Sequence, residues 1–454
     1  MKNTIYAFFA LLISLSAFSK EKVSVSGKIM NSADNKLVIK GESFEKTITL
    51  KPDGSFTESF EIDYNGSYSI LTKAARIPLY LGKGCKLTIN ADEKDFVKTL
   101  KFSGTGSVEN LFWQQKNEAV SKSLGNQSEF YALEESVYIT KVKEVKNSLL
   151  SLYNTTKFTD AFFKANEKKN IDYFEQLQYL IYPQYHAHYA KKEGFEPSAS
   201  FPKLDPAFNL DDNNEYLFSN SYKQIVLNSF SYKIAKLAGD NADFTAQFSL
   251  PELKKIKSPA IKAALIQNLA YEVSAGNPDV ENLYNELIAL SSDAKFKENL
   301  TTKYNQIKTL TPGKTSPGFD YENFKGGKTS LESLKGKYVY IDVWATWCGP
   351  CRREIPSLQK VEEEYKGKNI EFVSLSIDQR KDYDKWRKMV EEKSLGGIQL
   401  FADNDWNSQF VKDYAIEGIP RFILVDPNGN IVSADAPRPS DPKLITKFQE
   451  LGIK

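Results

Sequence analysis

Hydrophobic and polar residues follow three different patterns along the chain. From residue 20 to residue 104, short segments alternate apolar and polar side chains, and turn residues such as Asp53-Gly54 and Asn65-Gly66 separate them. A period of two is typical of half-buried strands. The sequence therefore predicts a small antiparallel β-domain, either a sandwich or a barrel, at residues 20–104.

The second pattern, at residues 105–311, places apolar residues three and four positions apart. Leu, Ala, Lys, Glu, Gln and Tyr are abundant there, and glycine and proline are sparse. This spacing puts the apolar side chains on one face of an α-helix. The sequence therefore predicts a helical middle region. We expect its prolines to mark joints between helices: Pro183, Pro197, Pro202, Pro206 and Pro251.

The third pattern follows a segment rich in proline and glycine at residues 311–318, which we interpret as a domain boundary. From residue 312 to residue 454, apolar strands such as KYVYIDVWA alternate with amphipathic helices such as CRREIPSLQKVEEEYKG. This alternation predicts a mixed, partly parallel sheet that is covered on both faces. The predicted fold class is therefore multidomain α+β, with an α/β domain at the C-terminal end.

The first residues have the pattern of a signal peptide. Lys2 precedes an apolar run at residues 5–18, and the small residue Ser19 follows it. We expect cleavage after Ser19, so that residues 1–19 are removed and the mature protein enters the periplasm. The run is about 14 residues long, short for the about 20 that span a membrane, although a retained anchor helix is the alternative. A lipoprotein is not expected, because the first cysteine is Cys85.

Length and charge exclude some classes of protein. A chain of 454 residues exceeds the about 250–300 residues at which single cores stop growing. With 60 Lys and Arg against 58 Asp and Glu, the formal net charge is only +2. Proteins that bind nucleic acids carry a strongly basic surface. We therefore expect several domains and no nucleic-acid partner.

Two of only three cysteines lie in the segment WATWCGPCRREIP, at residues 344–356. A helix is expected to begin at about Cys348, so that its sulfur meets the free N–H groups of the helix N-terminus, which favour a thiolate. Cys348 is therefore predicted to be the exposed attacking sulfur. Cys351, one turn further, would be the sheltered resolving sulfur, and its attack would leave an internal disulfide. Gly349 and Pro350 would make a tight turn between them and are candidate substrate contacts.

A bare C-x-x-C pair is also compatible with half of a zinc site. The remaining candidate ligands are Cys85, His186 and His188. The two histidines are two positions apart in a predicted helix, so they face different ways, and we predict no metal site. For Cys85 we expect a buried structural role, while a role as a third redox partner stays open.

The segment VYIDVWATWCGPC, together with the later Gly418-Ile419-Pro420, resembles the thioredoxin superfamily. More narrowly, residues 317–356 resemble exported TlpA-like thiol-disulfide reductases. The resemblance covers the C-terminal third of the chain and implies a thioredoxin-like fold there. It also implies that the only redox group is the Cys348–Cys351 disulfide, without a further cofactor. The preceding residues look, more loosely, like the β-domain and helical extensions of such proteins in Bacteroidetes-type bacteria.

The resemblance also implies roles for single residues. Asp342 matches the buried acid that moves the proton of the buried cysteine through water, a task that a raised pKa would suit, and an acid at a solvated strand end is the alternative. Pro420 matches the cis-proline beside the sulfurs, with an ordinary loop proline as the alternative. The backbone of Ile419 would pair with an incoming peptide. Trp347 would form an apolar lip of the site, with a partly buried packing role as the alternative, and Arg421 would place a cation near the groove.

We therefore expect a thiol-disulfide oxidoreductase, and the Gly-Pro pair favours a reductase of disulfides in substrate proteins. Its electrons would come from a membrane protein, and an oligomer is compatible with the sequence. An isomerase or an oxidase would use the same residues. A peroxidase is disfavoured, because Ala345 stands where that chemistry uses a threonine. The alternative from another class is a protein that binds a partner or ligand, with a thioredoxin-like module that is not catalytic.

Overall fold

The computed structural model describes residues 22–239 and 244–453, and the predicted signal peptide at residues 1–19 lies outside them. The chain divides into two compact units. The first unit contains the described residues up to Lys233 together with Ile256–Lys262, and the second contains Ile234–Lys255 and the residues from Ala263 onward. Within the described ranges, no helix has both the length and the apolar character that crossing a bilayer requires.

The strands of the first unit come from the segments that alternate apolar and polar residues. They are β1 (Lys22–Met30), β2 (Lys36–Gly41), β3 (Phe44–Thr49), β4 (Ser55–Glu61), β5 (Gly66–Leu71), β6 (Arg76–Leu81), β7 (Lys86–Asp92) and β8 (Lys101–Gly104). They form two sheets of four strands, with the orders β4-β1-β7-β8 and β3-β2-β5-β6. Alternate side chains of both sheets, such as Val25, Ile39 and Leu87, share one apolar core.

One strand pair departs from the expected antiparallel β-domain. β1 and β7 are parallel, whereas the other pairs in the two sheets are antiparallel. Parallel neighbours need a long crossover, and here it consists of the second sheet together with β4. The turn residues predict the local hairpins and carry no information on this distant pairing.

The helices of the first unit follow the period expected from the sequence. They are α1 (Phe96–Thr99), α2 (Ser107–Leu124), α3 (Gln127–Tyr131), α4 (Glu135–Thr155), α5 (Ala161–Tyr189), α6 (Asn213–Phe218) and α7 (Asn220–Ala238). The next helices along the chain are α8 (Ala246–Lys255), α9 (Pro259–Leu269), α10 (Val280–Leu290) and α11 (Ala294–Ile307). The division between the units falls within α7 and within α9.

Two prolines were predicted as joints and are not. Pro183 lies inside α5, which runs for 29 residues, and Pro251 lies inside α8. A proline removes one backbone hydrogen bond from a helix. In α5 the buried side chains of Tyr179, Tyr182 and His186 flank this position, and their packing outweighs that loss.

The C-terminal part of the second unit contains a seven-stranded mixed sheet. Its elements are β9 (Asp320–Asn323), β10 (Lys328–Ser330), β11 (Tyr338–Trp344), α12 (Gly349–Glu364), β12 (Ile370–Ser376), α13 (Tyr383–Glu392), β13 (Ile398–Phe401), α14 (Gln409–Asp413), β14 (Arg421–Val425), β15 (Ile431–Ser433) and α15 (Lys443–Glu450). The strand order is β10-β9-β13-β12-β11-β14-β15. β11, β12 and β13 are parallel, and the other pairs are antiparallel. The mixed α/β fold expected here is therefore confirmed.

The segment between α11 and β9 is fastened to this sheet by backbone hydrogen bonds. Gly313 N–H donates to the carbonyl of Ile431, and Ile431 N–H donates back to the carbonyl of Lys314. Ser316 N–H donates to the carbonyl of Gly429. Although its composition is typical of a linker, the segment is an ordered part of the edge beyond β15.

Candidate active site

The two cysteines lie at the start of α12. Cys348 is the N-cap of this helix, and its extended backbone (φ −77°, ψ 104°) lets Sγ accept a hydrogen bond from the N–H of Cys351. The distance from Sγ to that nitrogen is 3.1 Å. Pro350 occupies the first turn, where its missing N–H costs nothing. The positive end of the helix therefore faces Cys348 Sγ and stabilises a thiolate there.

Cys348 and Cys351 form a disulfide, with their Cα atoms 5.3 Å apart. Both residues are buried in this oxidised state, with 4% and 3% of their surface exposed. The expectation that Cys348 is exposed is therefore wrong for this state. Its Sγ lies 3.8 Å from the carbonyl oxygen of Ile419, and both cysteines belong to the apolar core of the sheet.

The loop that precedes β14 covers the sulfur of Cys348. The peptide bond between Ile419 and Pro420 is cis, as the resemblance implies. Ile419 packs partly buried against the core that contains both cysteines. An extended peptide that paired with the backbone of Ile419 would lie next to Cys348.

Arg421, directly after this proline, does not present a free cation. Its guanidinium forms an ion pair with Asp435, with Nη1 2.8 Å from Oδ2, and only 18% of the Arg421 side chain is exposed. Asp435 in turn lies against Gly276, in the segment between α9 and α10. A Cβ on Gly276 would lie 2.5 Å from the Cβ of Asp435. Gly276 therefore lies against the ion-pair partner of Arg421, the residue that follows the cis-proline.

Trp347 lies at the surface beside the disulfide. Its side chain is 49% exposed, and its ring centroid lies 6.3 Å from that of Trp406. The two indoles form an apolar pair next to Cys348. That Trp347 is a lip of the substrate site stays a prediction. Gly349 has open surroundings, since a Cβ there would meet only the guanidinium of Arg353 at 3.9 Å. Contacts of Gly349 and Pro350 with substrate stay predictions.

Asp342 is buried in the middle of β11. Its neighbours across the sheet are Ser374 of β12 and Phe422 of β14, and 8% of its surface is exposed. The alternative of a solvated strand end is therefore wrong. Burial, and to a smaller extent the charges of Glu362 and Glu354, raise the pKa of Asp342 to about 8.

Residues 312–434 match the protein-family model described as the AhpC/TSA family. The thiol-disulfide oxidoreductase ResA of Bacillus cereus is 30% identical over 120 residues, which are 26% of this chain and 66% of the relative. The thioredoxin-like protein YneN of Bacillus subtilis (strain 168) is 39% identical over 123 residues, which are 27% of this chain and 69% of the relative. The chain belongs to the thioredoxin-like thiol-disulfide oxidoreductases.

The same part of the chain is similar to solved structures. A protein from Bacteroides vulgatus, provisionally assigned as a thiol-disulfide oxidoreductase, is 53% identical over 32% of this chain and 92% of its own, with a TM-score of 0.28. These oxidoreductase matches concern the C-terminal third of the chain. The chain spans 66% of the length of the ResA relative, so the activity of the whole protein is a matter for proposal.

Sequence reasoning missed a second acid in the interior of this oxidoreductase, the partly buried Glu362. Glu362 lies on α12, and burial raises its pKa to about 7. It stands in the run Glu362-Glu363-Glu364, which is typical of a solvated helix face. The sequence did contain one indication that Glu362 is partly buried. It lies about three helical turns after Cys351, so the two residues are on the same face of α12.

Metal ligands are not gathered anywhere in residues 22–239 and 244–453, where no group of three or more His, Cys, Asp and Glu side chains has a suitable arrangement. His186 is a core residue of the first unit, with Nδ1 2.9 Å from the carbonyl oxygen of Tyr131. Cys85 is buried, and its thiol donates to the carbonyl of Thr105 at 2.9 Å. Burial raises the pKa of the Cys85 thiol to about 11, which suits a structural role.

Proposed function

We propose that this protein is a periplasmic reductase of disulfides in substrate proteins. The observation that carries the proposal is the Cys348–Cys351 disulfide at the N-terminus of α12, beside the cis-proline loop. The helix N-terminus favours the thiolate of Cys348, and Ile419 offers a backbone edge for the substrate.

The reaction proceeds by two thiol-disulfide exchanges. In the reduced enzyme, the thiolate of Cys348 attacks one sulfur of the substrate disulfide, and the other sulfur leaves as a thiolate and takes up a proton. Cys351 then loses its proton and attacks Cys348 in the mixed disulfide. The bond between Cys348 and the substrate breaks, and the second substrate thiolate takes up a proton. Two electrons pass from the cysteine pair to the substrate.

The direction of electron flow rests on the Gly-Pro pair between the cysteines, as in reducing thioredoxins. A reductase in an oxidising compartment needs a source of electrons, and we propose a membrane protein that relays them. No further cofactor enters the scheme. The proposed export rests on the signal-peptide pattern of residues 1–19, and detection of the protein in the periplasmic fraction after cleavage would test it.

The reduction potential of the Cys348–Cys351 pair tests the direction. The mature chain, carrying Cys85→Ser, would be equilibrated in glutathione or dithiothreitol buffers. We expect a value near the about −270 mV of thioredoxin. A value near about −120 mV would indicate an oxidase or isomerase. Absence of disulfide formation would refute the oxidoreductase and favour a binding protein.

Two cysteine variants test the mechanism. Cys348→Ser should abolish the reduction of a protein disulfide such as that of insulin, because the attacking sulfur is lost. Cys351→Ser should accumulate a mixed disulfide between Cys348 and the substrate, which mass spectrometry would detect. Equal activity of both variants and the parent would contradict the mechanism.

A further inference from the structure

A small cavity lies between α12 and the sheet. Its volume is about 10 Å³, and its polar lining comes from Asp342, Trp344, Glu362, Ser374 and Gln399. This is about the space that one buried water needs. The other lining residues are Leu395, Gly396 and three positions of α12, Ile355, Leu358 and Gln359. These three positions continue the face of α12 that begins at Cys351.

Polar atoms without partners surround this cavity. In the described part of the chain, Oδ1 of Asp342, Nε1 of Trp344 and Oε1 of Gln399 are buried and have no hydrogen-bond partner. They offer two acceptors and one donor. Buried polar atoms are nearly always paired, and a single water can donate twice and accept from the indole.

Gly396 and Gly397 leave room for the carboxyl group of Glu362, because neither residue has a side chain. A Cβ on Gly396 would lie 2.3 Å from Oε2 of Glu362, and a Cβ on Gly397 would lie 2.9 Å from Oε1. A larger residue at either position would therefore push the carboxyl group away from the cavity. Glu362 is only partly buried, whereas Asp342 and Gln399 are buried, so Glu362 joins the cavity to the surface.

We propose that Glu362 is a positioning residue that acts through Asp342: one water in the cavity connects the two carboxyl groups, and the proton of Asp342 reaches solvent by way of Glu362. The proposal rests on the proposed function, because it concerns the proton that Cys351 must lose. It adds a second acid to the single buried acid that the resemblance implies.

The proton transfers balance with the second exchange step. The thiol proton of Cys351 passes to the carboxylate of Asp342, and the Cys351 thiolate forms its bond with Cys348 as the substrate thiolate leaves. Glu362 releases the shared proton to solvent, and Asp342 then passes its new proton through the water to the carboxylate of Glu362. The departing substrate thiolate takes a proton from solvent, so no additional oxidant or reductant is needed.

Of the acids that act on Asp342, Glu362 is the one that lines the cavity. The acids that act on Asp342 are Glu362 and Glu354, both on α12. Glu354 accepts hydrogen bonds from the N–H and hydroxyl of Ser440, at 3.1 and 3.0 Å. The two strands beside Asp342 present Ser374 and Phe422, and the next strand, β13, presents Gln399. None of these side chains titrates. Two neighbouring carboxyl groups in a buried site rarely ionise together, so one proton is shared between them near neutral pH.

The test compares Glu362→Gln with Glu363→Gln in the full chain carrying Cys85→Ser. Glu363 neighbours Glu362 on α12, but its side chain is 77% exposed, so it controls for charge. Stopped-flow kinetics would follow the resolution of a mixed disulfide on Cys348 from about pH 5 to about pH 9. We expect Glu362→Gln to slow this step about tenfold near neutral pH and to change its pH profile, with no effect on the first exchange. Glu363→Gln should change neither.

A double variant decides whether Glu362 acts through Asp342. In a chain that already carries Asp342→Asn, Glu362→Gln should cause no further loss of rate, because the relay has lost its first member. Equal slowing in both backgrounds, or the same effect from Glu363→Gln, would overturn the proposal.

The carboxyl titration of Asp342, followed by NMR, separates this proposal from the proposed function. Glu362→Gln should shift that titration to lower pH, since a neighbouring like charge is removed. An unchanged titration overturns the relay even in an active reductase. If the parent enzyme reduces no disulfide, the proposed function fails, and the relay fails with it.

Discussion

The first and second units each bury a carboxyl group, but they treat it differently. Glu167 on α5 is fully buried. It accepts hydrogen bonds from the indole of Trp113, the ammonium of Lys116 and the amide of Asn170. Asp342 on β11 is 8% exposed, and its Oδ1 has no partner among the described residues. The paired acid holds a charged network in one arrangement, whereas the unpaired acid can gain or lose a proton without breaking contacts.

A third acid shows that this difference is not one between units. Asp378 also belongs to the second unit and is fully buried. It accepts from the N–H and hydroxyl of Thr346, at 2.9 and 2.7 Å, and from the hydroxyl of Ser376 at 2.8 Å. The state of its hydrogen bonds, rather than burial, therefore distinguishes a structural acid from a candidate for proton transfer.

The largest change in the free energy of unfolding is expected when Glu167, the hydrogen-bonded acid of the first unit, is removed. Glu167→Ala should lower the free energy of unfolding by about 3–5 kcal/mol, because Lys116 and Trp113 lose their acceptor in a buried site. Chemical denaturation would measure it. Glu118→Ala, at an exposed position on α2, is the matched control and should have no measurable effect. A Glu167→Ala protein as stable as its parent would break the comparison.

Replacing Asp342 should increase the free energy of unfolding, whereas replacing Glu167 should lower it. Its pKa rises from 3.8 in the unfolded chain to about 8 in the folded one. The native state therefore holds a proton that the unfolded chain loses, so this group costs stability increasingly as pH rises through that window. Asp342→Asn should raise the free energy of unfolding by about 2–4 kcal/mol at the upper end of the window. At its lower end the gain should vanish. Denaturation at several pH values would show this, and destabilisation at every pH would contradict it.

Replacing Asp378, in the same unit, should cause a smaller change in the free energy of unfolding. Asp378→Asn replaces one accepting oxygen with an NH₂ group that faces N–H and O–H donors, so we expect a loss of about 1–3 kcal/mol. The thermal midpoint and the denaturation curve would measure the loss. Stabilisation, as at Asp342, would mean that the hydrogen bonds of Asp378 do not distinguish the two acids.

The smallest effect is expected at Cys85. Serine at this position keeps a donor for the carbonyl of Thr105, so Cys85→Ser should cost about 1 kcal/mol or less. The native thiol should react with a maleimide far more slowly than the thiol in denatured protein, because its raised pKa keeps it protonated. Equal reaction rates in the two states would refute its structural role.

The sequence was informative where a feature depends on neighbouring residues. The position of Cys348 at the N-terminus of α12, the strands β14 and β15 and the mixed sheet follow from motif and periodicity. The parallel pairing of β1 with β7 could not be predicted from the sequence pattern, because it joins strands that are distant in the chain. The partial burial of Glu362 was also hidden, since it depends on Gly396 and Gly397, beyond the following strand and helix.

Gly276 couples the evolution of the segment between α9 and α10 to that of the C-terminal residues 312–454, which contain the disulfide. Any side chain at this position would meet Asp435, the partner of Arg421 next to the cis-proline. A larger residue can therefore be accepted at position 276 only if Asp435, and with it the ion pair of Arg421, also changes. If residues 312–454 were exchanged for those of a relative, residue 435 would come from the relative while Gly276 would come from this chain. The two residues would then no longer have been selected together.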